Sequence, residues 1–248
     1  MEMAGRSVIV TGGASGIGRA TALLLASNGA RVFVGDVDAA RGAALAEEGA
    51  RNSLPIEFLP MDLTDPTSVT EFVETIGVKV RPVDALVNAA GWDRIEPFME
   101  NAPELWDRLV SINLMGAIRL TRAVLPPMIA AGGGKIVNIA SDAGRVGSIG
   151  ETVYSAAKGG LIAFTKSLAR EMARHRINVN CVCPGPTDTR LFATLPERLR
   201  DALTRAIPFR RIARPEEIAE AVMFFAGPRS DYITGQVLSV SGGLTMAD

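Results

Sequence analysis

Short apolar runs alternate with amphipathic stretches along the chain, and this alternation constrains the fold more than any other feature. The runs occupy residues 8–10, 31–35, 56–61, 85–87, 135–139, 177–182 and 237–240. Helical patterns lie between most of them, the longest at 103–131 and 154–174. Parallel strands buried between two helix layers produce this pattern. The sequence therefore predicts an α/β fold of the Rossmann type, a doubly wound parallel sheet of about seven strands with helices on both faces.

No linker, charged block, low-complexity segment or repeat divides the 248 residues, and the alternation continues to residue 240. We therefore expect a single domain over residues 1–248. A loop and a short helix at about 186–212 are expected to cover the substrate.

The charge balance and the N-terminus bear on partners and location. The chain has 26 basic and 27 acidic residues, so no global field attracts nucleic acid or anionic membrane. No apolar run approaches the ~20 residues of a spanning helix, and no signal-peptide core precedes the first strand. We expect a cytoplasmic protein with a small-molecule substrate and neither a nucleic-acid nor a membrane partner.

The cysteines and the histidine argue against two kinds of site. Cys181 and Cys183 alternate within one buried run, and His175 is the only histidine. A zinc site or a Ser-His-Asp triad needs more ligands or another histidine arrangement. We expect buried structural thiols and no metal.

A glycine-rich turn directly follows the first strand. Its sequence, Thr-Gly-Gly-Ala-Ser-Gly-Ile-Gly at 11–18, has the spacing G-x-x-x-G-x-G and opens a helix. Glycines in such a turn let backbone N–H groups approach a pyrophosphate at the helix N-terminus. We expect dinucleotide contacts from this turn, at Gly12, Ser15, Gly16, Ile17 and Gly18.

Acidic and small residues at the strand ends extend this cofactor site. Asp36 ends the second strand, where a carboxylate accepts hydrogen bonds from the adenosine ribose. Asp38 follows closely, no Arg or Lys lies in the glycine-rich turn, and two carboxylates repel a 2′-phosphate, so NAD is predicted over NADP. An N-cap role is the alternative for Asp38. The next two strand ends should contact the adenosine half through Asp62, Leu63, Asn88, Ala89, Ala90 and Gly91.

Tyr154 and Lys158 stand four residues apart in a helical pattern, thirteen residues after Ser141. Positions i and i+4 share a helix face, so an ammonium would sit beside a phenol. A phenol ionises near pKa ~10, and a nearby cation lowers that value toward neutrality. By itself the spacing equally fits a surface lysine and a half-buried tyrosine.

Taken together, these motifs resemble those of the short-chain dehydrogenase/reductase family, over almost the whole chain. The resemblance implies that Tyr154 is the acid in carbonyl reduction and the base in alcohol oxidation. It also implies that Lys158 lowers the pKa of Tyr154 and holds the nicotinamide ribose, and that Ser141 binds the substrate oxygen. Asn113 would hold a water next to Lys158. The nicotinamide would be flanked by Pro184, Gly185, Thr187 and Thr189.

Three segments, 88–93, 141–148 and 234–246, are similar to 2-hydroxycyclohexanecarboxyl-CoA dehydrogenases within this family. They imply NAD-dependent interconversion of a secondary alcohol and a ketone on a cyclic CoA thioester. Trp92 and Val146 would form apolar walls for the ring. Guanidinium groups could bind the CoA phosphates, although a solvated charged helix explains them at least as well; these are Arg145, Arg190, Arg198, Arg200, Arg205, Arg210 and Arg211.

Three other interpretations are open. A 3-oxoacyl-thioester reductase working on a carrier protein would want a basic docking patch and usually NADPH, yet residues 126–133 carry no cation. A dehydrogenase of another cyclic or secondary alcohol would share the same reacting groups. A non-catalytic scaffold would be expected to have lost one of them.

Small residues in the helix at 154–174 would allow a close approach by another helix. The approaching helix could belong to a second subunit of a homo-oligomer, for which we expect a tetramer. Packing within the chain explains the small residues equally well.

Overall fold

The apolar runs form the strands of one sheet in the computed structural model, which describes residues 1–80 and 82–247. Arg81 and Asp248 of the predicted domain lie outside the described residues. All strand pairs are parallel, and the order across the sheet is β3-β2-β1-β4-β5-β6-β7. The strands are β1 Ser7–Thr11, β2 Arg31–Asp36, β3 Ile56–Pro60, β4 Ala85–Asn88, β5 Gly134–Ile139, β6 Ile177–Pro184 and β7 Val237–Val240. The predicted seven-stranded parallel sheet is confirmed.

Ten α-helices and three short non-α turns connect these strands in the described part of the chain. The α-helices are α1 Gly16–Ser27, α2 Ala39–Arg51, α3 Pro66–Lys79, α4 Pro103–Val110, α5 Gly116–Ala131, α6 Ala143–Val146, α7 Thr152–Met172, α8 Arg190–Ala193, α9 Glu197–Ala206 and α10 Pro215–Ala226. Two of these helices have carboxylate N-caps. The Asp38 side chain accepts a hydrogen bond from a backbone N–H of α2, and the Asp65 side chain accepts one from a backbone N–H of α3. The N-cap alternative for Asp38 is confirmed.

Side chains alternate across the sheet and fill two cores. In β1, Val8 and Val10 belong to the core on one face, whereas Ile9 belongs to the core on the other. All three are fully buried. Two-sided burial explains why the strands are continuous apolar runs in the sequence and do not alternate with polar residues.

The predicted helix at 103–131 is one rod interrupted by a π-helical turn. The turn spans Ser111–Met115 and joins α4 to α5. By length and composition this rod could cross a membrane. Its apolar side chains Leu120, Val124 and Met128 are instead fully buried in the core beneath the sheet.

Close contacts within the chain explain the small residues of α7. A Cβ on Gly144 of α6 would lie 2.7 Å from the Gly159 nitrogen, and a Cβ on Gly160 would lie 3.0 Å from Leu114. Both contacts are between neighbouring elements of one chain. The intrachain alternative therefore accounts for these two positions.

The order of the strands creates a crevice at one edge of the sheet. The chain proceeds outward from β1 to β3 and then returns to place β4 on the other side of β1. Helices leave in opposite directions at this reversal, so the carboxyl ends of β1 and β4 open a crevice where ligands bind in such sheets. Most of the predicted site residues lie at this edge.

Candidate active site

The glycine-rich turn and the end of β4 are in direct backbone contact. Gly12 has a φ of 62°, and a Cβ there would lie 2.6 Å from the Ala90 Cα. A Cβ on Gly18 would lie 2.2 Å from the Gly12 carbonyl oxygen. The Thr11 hydroxyl accepts from the Ala89 and Ala90 N–H groups at 3.1 Å each. Only glycine fits at these two positions, so the turn is shaped for the close approach of a flat or extended ligand.

Asp36 is fixed in position beside this turn. Its two carboxylate oxygens accept from the Ala14 and Asp38 N–H groups, each at 3.0 Å. Each oxygen has a further lone pair, so the carboxylate can still accept from ribose hydroxyls. The carboxylate is therefore held beside the glycine-rich turn with acceptor capacity to spare.

The fold brings two arginines near the turn, which the sequence argument did not foresee. Arg19 and Arg41 line a cavity of about 340 Å³ together with Ala14 and Ser15. Arg41 pairs with Asp38 at 3.1 Å, and Arg19 pairs with Glu48. Both guanidinium groups are thus paired with carboxylates beside Asp36.

The remaining cofactor residues divide into edge and interior positions. Asp62 accepts from the backbone and hydroxyl of Thr64, at 2.8 and 2.7 Å. Leu63 is buried against Gly116, and Ile17 packs on the core beside the sheet. Ser15 is the N-cap residue of α1 and its side chain makes no cap hydrogen bond.

The Asn88 side chain belongs to a hydrogen-bond network below the site. Its amide nitrogen donates to Thr121 at 3.1 Å and to Asn138 at 2.8 Å, and Asn138 in turn donates to Thr165. The side chain is buried in a polar network that joins β4, β5, α5 and α7. The Asn88 side chain therefore ties the sheet to α5 and α7, while its backbone lies at the carboxyl edge of β4, where the cofactor contact is predicted.

The end of β6 forms the opposite wall. A Cβ on Gly185 would lie 2.7 Å from the Ser241 Cβ, so this position also requires glycine. The Thr187 hydroxyl donates to the Gly185 carbonyl at 2.9 Å, and the Thr189 hydroxyl caps α8. With Pro184, these residues border the crevice in the predicted position.

Ser141, Tyr154 and Lys158 converge at the carboxyl end of β5. Lys158 is only 3% exposed, and its ammonium donates to the Ile139 carbonyl at 2.8 Å. It lies 5.7 Å from the centre of the Tyr154 ring. The Ser141 hydroxyl is a neighbour of the Tyr154 phenol and lowers its pKa. These three groups form one cluster, as predicted.

Asn113 completes the cluster from the π-helical turn. A Cβ on Gly91 would lie 3.2 Å from its side-chain oxygen and 3.4 Å from the Lys158 nitrogen. The Asn113 amide also clamps Trp92, accepting from its N–H at 3.1 Å and donating to its carbonyl at 2.7 Å. π turns are frequent at functional sites because they reposition side chains within a helix.

The ionisation of Tyr154 and Lys158 differs from the expectation. Burial raises the pKa of Tyr154, and the negative charges of Asp93 and Glu151 raise it further, while the Ser141 hydrogen bond opposes the change. Burial also lowers the pKa of Lys158 to about 8. The prediction that Lys158 brings the phenol toward neutrality is wrong for this arrangement, because desolvation outweighs the neighbouring ammonium.

Two carboxyl residues near the site were missed in the sequence. Asp142 is buried and accepts from the Ser239 hydroxyl at 2.6 and 2.7 Å, which ties the segment after Ser141 to β7. Asp93 is buried beside Tyr154 and Lys158, and its pKa is raised to about 7 by burial and by Glu151. The signals available were an acidic residue two positions after Gly91 and another directly after Ser141.

The residues suggested as apolar walls for the substrate, and the arginines suggested for the CoA phosphates, lie in different environments. The guanidinium of Arg108 lies 4.0 Å from the Trp92 ring centre, so one face of the indole packs on α4. Val146 is 61% exposed. Arg145 donates to the Ala247 carbonyl, and Arg211 forms a two-bond ion pair with Glu217. Arg190 lines a cavity of about 370 Å³ with Gly16 and Thr189.

Comparisons with known proteins identify relatives that match almost the whole chain. The family model described as enoyl-(acyl carrier protein) reductase matches residues 12–245. The 3-oxoacyl-[acyl-carrier-protein] reductase of Thermotoga maritima is 38% identical over 246 residues, covering 99% of this chain and 100% of that protein. The enzyme of the same name from Chlamydia trachomatis is 38% identical over 240 residues, covering 96% and 97%.

A solved structure has the same fold over the same length. A putative gluconate dehydrogenase from Agrobacterium tumefaciens superposes with a TM-score of 0.95 at 31% identity, covering 99% of this chain and 98% of its own. An oxidoreductase acting on CH–OH groups is the activity common to these relatives and to the clustered serine, tyrosine and lysine. The chain belongs to the short-chain dehydrogenase/reductase family.

Proposed function

We propose that this protein is an NAD-linked oxidoreductase that interconverts a 3-oxoacyl thioester and the corresponding 3-hydroxyacyl thioester. The observation that carries the proposal is the cluster of Ser141, Tyr154 and Lys158 at the crevice between β1 and β4. The thioester class comes from the relatives, whose names specify 3-oxoacyl groups on a carrier protein. These names favour the thioester-reductase alternative over the narrower cyclic substrate.

The cyclic CoA ester is retained as one member of this class. A 2-hydroxycyclohexanecarboxyl thioester also carries its hydroxyl on the carbon β to the thioester carbonyl. The absence of cations in the α5 end at residues 126–133 gives a carrier protein little to dock against. We therefore favour a CoA-type carrier over an acyl carrier protein.

The structure fits a dinucleotide at the crevice. Gly12 and Gly18 leave a cradle that a side chain would fill, and Asp36 offers carboxylate lone pairs beside it. We assign adenosine recognition to Asp36 and ribose contact on the nicotinamide side to Tyr154 and Lys158. When bound, the nicotinamide supplies or accepts the hydride.

Repulsion supports NAD as this dinucleotide. A 2′-phosphate would approach the fixed Asp36 carboxylate, whereas the nearby Arg41 is already paired with Asp38. Bringing two like charges close together costs free energy even at the protein surface. The NAD preference is thus a property of Asp36 in this proposal.

The protein groups handle the proton. In reduction, the Tyr154 hydroxyl donates its proton to the carbonyl oxygen of the substrate, and Ser141 donates a hydrogen bond to that oxygen as charge develops there. In oxidation, the Tyr154 oxygen accepts the proton. The raised pKa of Tyr154 keeps the phenol protonated near neutrality, which suits the donor role.

A panel of substrates tests this function. Initial rates with NADH would be compared for acetoacetyl-CoA, 2-oxocyclohexanecarboxyl-CoA and free acetoacetate, and with NAD⁺ for gluconate. We expect either thioester to exceed the free acid and gluconate by at least about 100-fold in kcat/KM, since a lost binding group commonly costs several kcal/mol. A preference for free acid or gluconate contradicts the thioester class, and equal use of NADPH contradicts the cofactor assignment.

A further inference from the structure

The segment at residues 187–213, here called the lobe, has an excess of positive charge. Its two ends are pinned together at the end of β6. The Asp188 N–H donates to the Ala213 carbonyl at 2.8 Å, and the Ala213 N–H donates to the Pro186 carbonyl at 3.0 Å. The lobe has six arginines and three carboxylates, whereas the whole chain has a net charge of −1. The positive charge is therefore a local property of this lobe.

Much of this charge has no partner within the protein. Arg211 is paired with Glu217. Three other arginines, Arg198, Arg205 and Arg210, are exposed and form no ion pair in the described part of the chain. The first two stand seven residues apart on one face of α9, and Arg210 donates to the Arg205 carbonyl at the end of that helix. Neighbouring guanidinium groups without carboxylate partners suit a ligand with several phosphate oxygens.

An exposed aromatic ring lies next to these guanidinium groups. Phe209 directly precedes Arg210 and is 71% exposed. Its N–H donates to the Gly242 carbonyl at 3.2 Å, and a Cβ on Gly242 would lie 3.3 Å from the Phe209 Cβ. The base of the side chain is thus held against the C-terminal segment while the ring faces solvent. An exposed ring beside cations offers a stacking face for a nucleobase whose phosphates bind the cations.

The C-terminal segment that holds Phe209 also contacts two walls of the active site. At its start, Ser241 packs against the end of β6, because a Cβ on Gly185 would lie 2.7 Å from the Ser241 Cβ. Near its end, the Ala247 carbonyl accepts from Arg145 of α6. Phe209 and its neighbouring arginines therefore lie at the rim of the reaction centre, and a ligand bound there can extend an arm into the crevice.

We propose that Phe209, Arg205 and Arg210 form a docking surface for the nucleotide end of a CoA thioester, here called the CoA surface. Adenine stacks on the Phe209 ring, and the guanidinium groups bind the phosphates, with Arg198 extending the positive face along α9. The pantetheine arm then leads the thioester over the C-terminal segment to Tyr154. A carrier protein has no nucleobase to stack on the ring, so the exposed Phe209 favours CoA. This inference rests on the proposed function, because it concerns the carrier of the proposed thioester.

Calorimetric titration with free CoA tests the CoA surface without turnover. Each titration contains saturating NAD⁺, so that the adenosine of CoA cannot occupy the cofactor crevice. The variants are Arg205→Gln, Arg205→Gln/Arg210→Gln and Phe209→Ala. The matched control is Arg51→Gln/Arg174→Gln, which removes two exposed arginines outside the lobe. Arg205→Gln removes no hydrogen bond or ion pair among the described residues, so it keeps the test valid if the double variant folds poorly.

We expect CoA to bind the wild type and to bind Arg205→Gln/Arg210→Gln at least about 10-fold more weakly, because charge-assisted hydrogen bonds to phosphate are lost. Arg205→Gln should weaken binding by at least about 3-fold, and Phe209→Ala by at least about 5-fold, through lost phosphate bonding and lost stacking respectively. The control should remain within about two-fold of the wild type. Unchanged CoA affinity in the lobe variants, or an equal loss in the control, overturns the proposal.

Rates separate this proposal from the proposed function. In Arg205→Gln/Arg210→Gln, kcat/KM for acetoacetyl-CoA should fall at least about 10-fold further than kcat/KM for acetoacetyl-pantetheine, which lacks the nucleotide. Equal falls overturn the CoA surface and leave the proposed function intact. A loss seen only with an acetoacetyl group on an acyl carrier protein also overturns the CoA surface. Turnover of none of these thioesters overturns the proposed function, whereas the calorimetric result decides the CoA surface by itself.

Discussion

The two sides of the crevice are built in different ways. On the β1–β3 side, the site is built around backbone groups. The glycine-rich turn lies against Ala90, the Thr11 hydroxyl accepts from two backbone N–H groups, and the Asp36 carboxylate accepts from two further backbone N–H groups. On the β4–β6 side, it consists of polar side chains from four separate segments, namely Asp93, Asn113, Ser141 and the Tyr154–Lys158 pair, of which Asp93, Tyr154 and Lys158 are ionisable.

This difference assigns different tasks to the two sides. Rigid backbone surfaces bind a ligand of constant shape and change little with pH. Buried ionisable groups have pKa values that depend on each other, which suits proton transfer. The β1–β3 side should therefore determine cofactor affinity, and the β4–β6 side should determine the rate and its pH dependence.

The largest effect is expected on the β4–β6 side. Tyr154→Phe removes the proton donor while the ring continues to fill its place, so turnover should fall by about 10²–10⁴-fold. NADH affinity, measured by fluorescence titration, should fall by no more than about 10-fold, because only one ribose hydrogen bond is lost. A variant that retains wild-type turnover would show that another group donates the proton.

The converse variant is Gly12→Ala. Its Cβ would lie 2.6 Å from the Ala90 Cα at a φ of 62°, so the turn must shift. NADH affinity should fall by at least about 10-fold, with the pH profile of kcat unchanged. Gly132→Ala is the matched control, because its φ is 80° with nothing within 4 Å of the added atom. Equal losses in both variants would mean that backbone strain alone is responsible.

A smaller change is expected for cofactor choice. Asp36→Asn keeps the size of the side chain and one of its two acceptor oxygens but removes the charge facing a 2′-phosphate, so the ratio of kcat/KM for NADH over NADPH should drop by about 10-fold. Glu71→Gln, an exposed charge on α3, should leave the ratio intact. An unchanged ratio in Asp36→Asn would place the discrimination elsewhere.

The smallest effect concerns stability and pH. Asp93 has a pKa of about 7 in the folded protein against 3.8 for an unperturbed carboxyl, so the folded state binds the extra proton between these values. Its contribution to stability is present below about pH 4 and is lost as the pH rises through 7. Urea unfolding should show a decline in the free energy of unfolding over this window, on the order of a few kcal/mol at most. The decline should be weaker in Asp93→Asn; an identical slope would argue against a buried, protonated Asp93.

The contrast also explains what was predictable from sequence. Every strand was located correctly, because two-sided burial leaves a continuous apolar run. The glycine turn, Asp36 and the Tyr154–Lys158 spacing are local patterns, each contained in a few residues. Such local patterns can be recognised in the sequence without knowledge of the rest of the fold.

The features that could not be predicted from the sequence depend on residues that are far apart in the chain. The Asn88 network, for example, joins two strands and two helices. The π turn at Ser111–Met115 has no pattern of its own in the sequence. The pKa of Tyr154 depends on burial and on charges from two segments, so a neighbouring lysine was insufficient to predict its direction.

The division of labour between the two sides is tested most directly by the kcat/KM for NADH-dependent reduction of acetoacetyl-CoA in the double variant Asp36→Asn/Tyr154→Phe. Asp36 and Tyr154 share no hydrogen-bond partner among the described residues. Independent sites have additive free energies, so the two single losses should multiply to within about two-fold. A double variant that is more than about five-fold better or worse than the product would contradict separate tasks for the two sides.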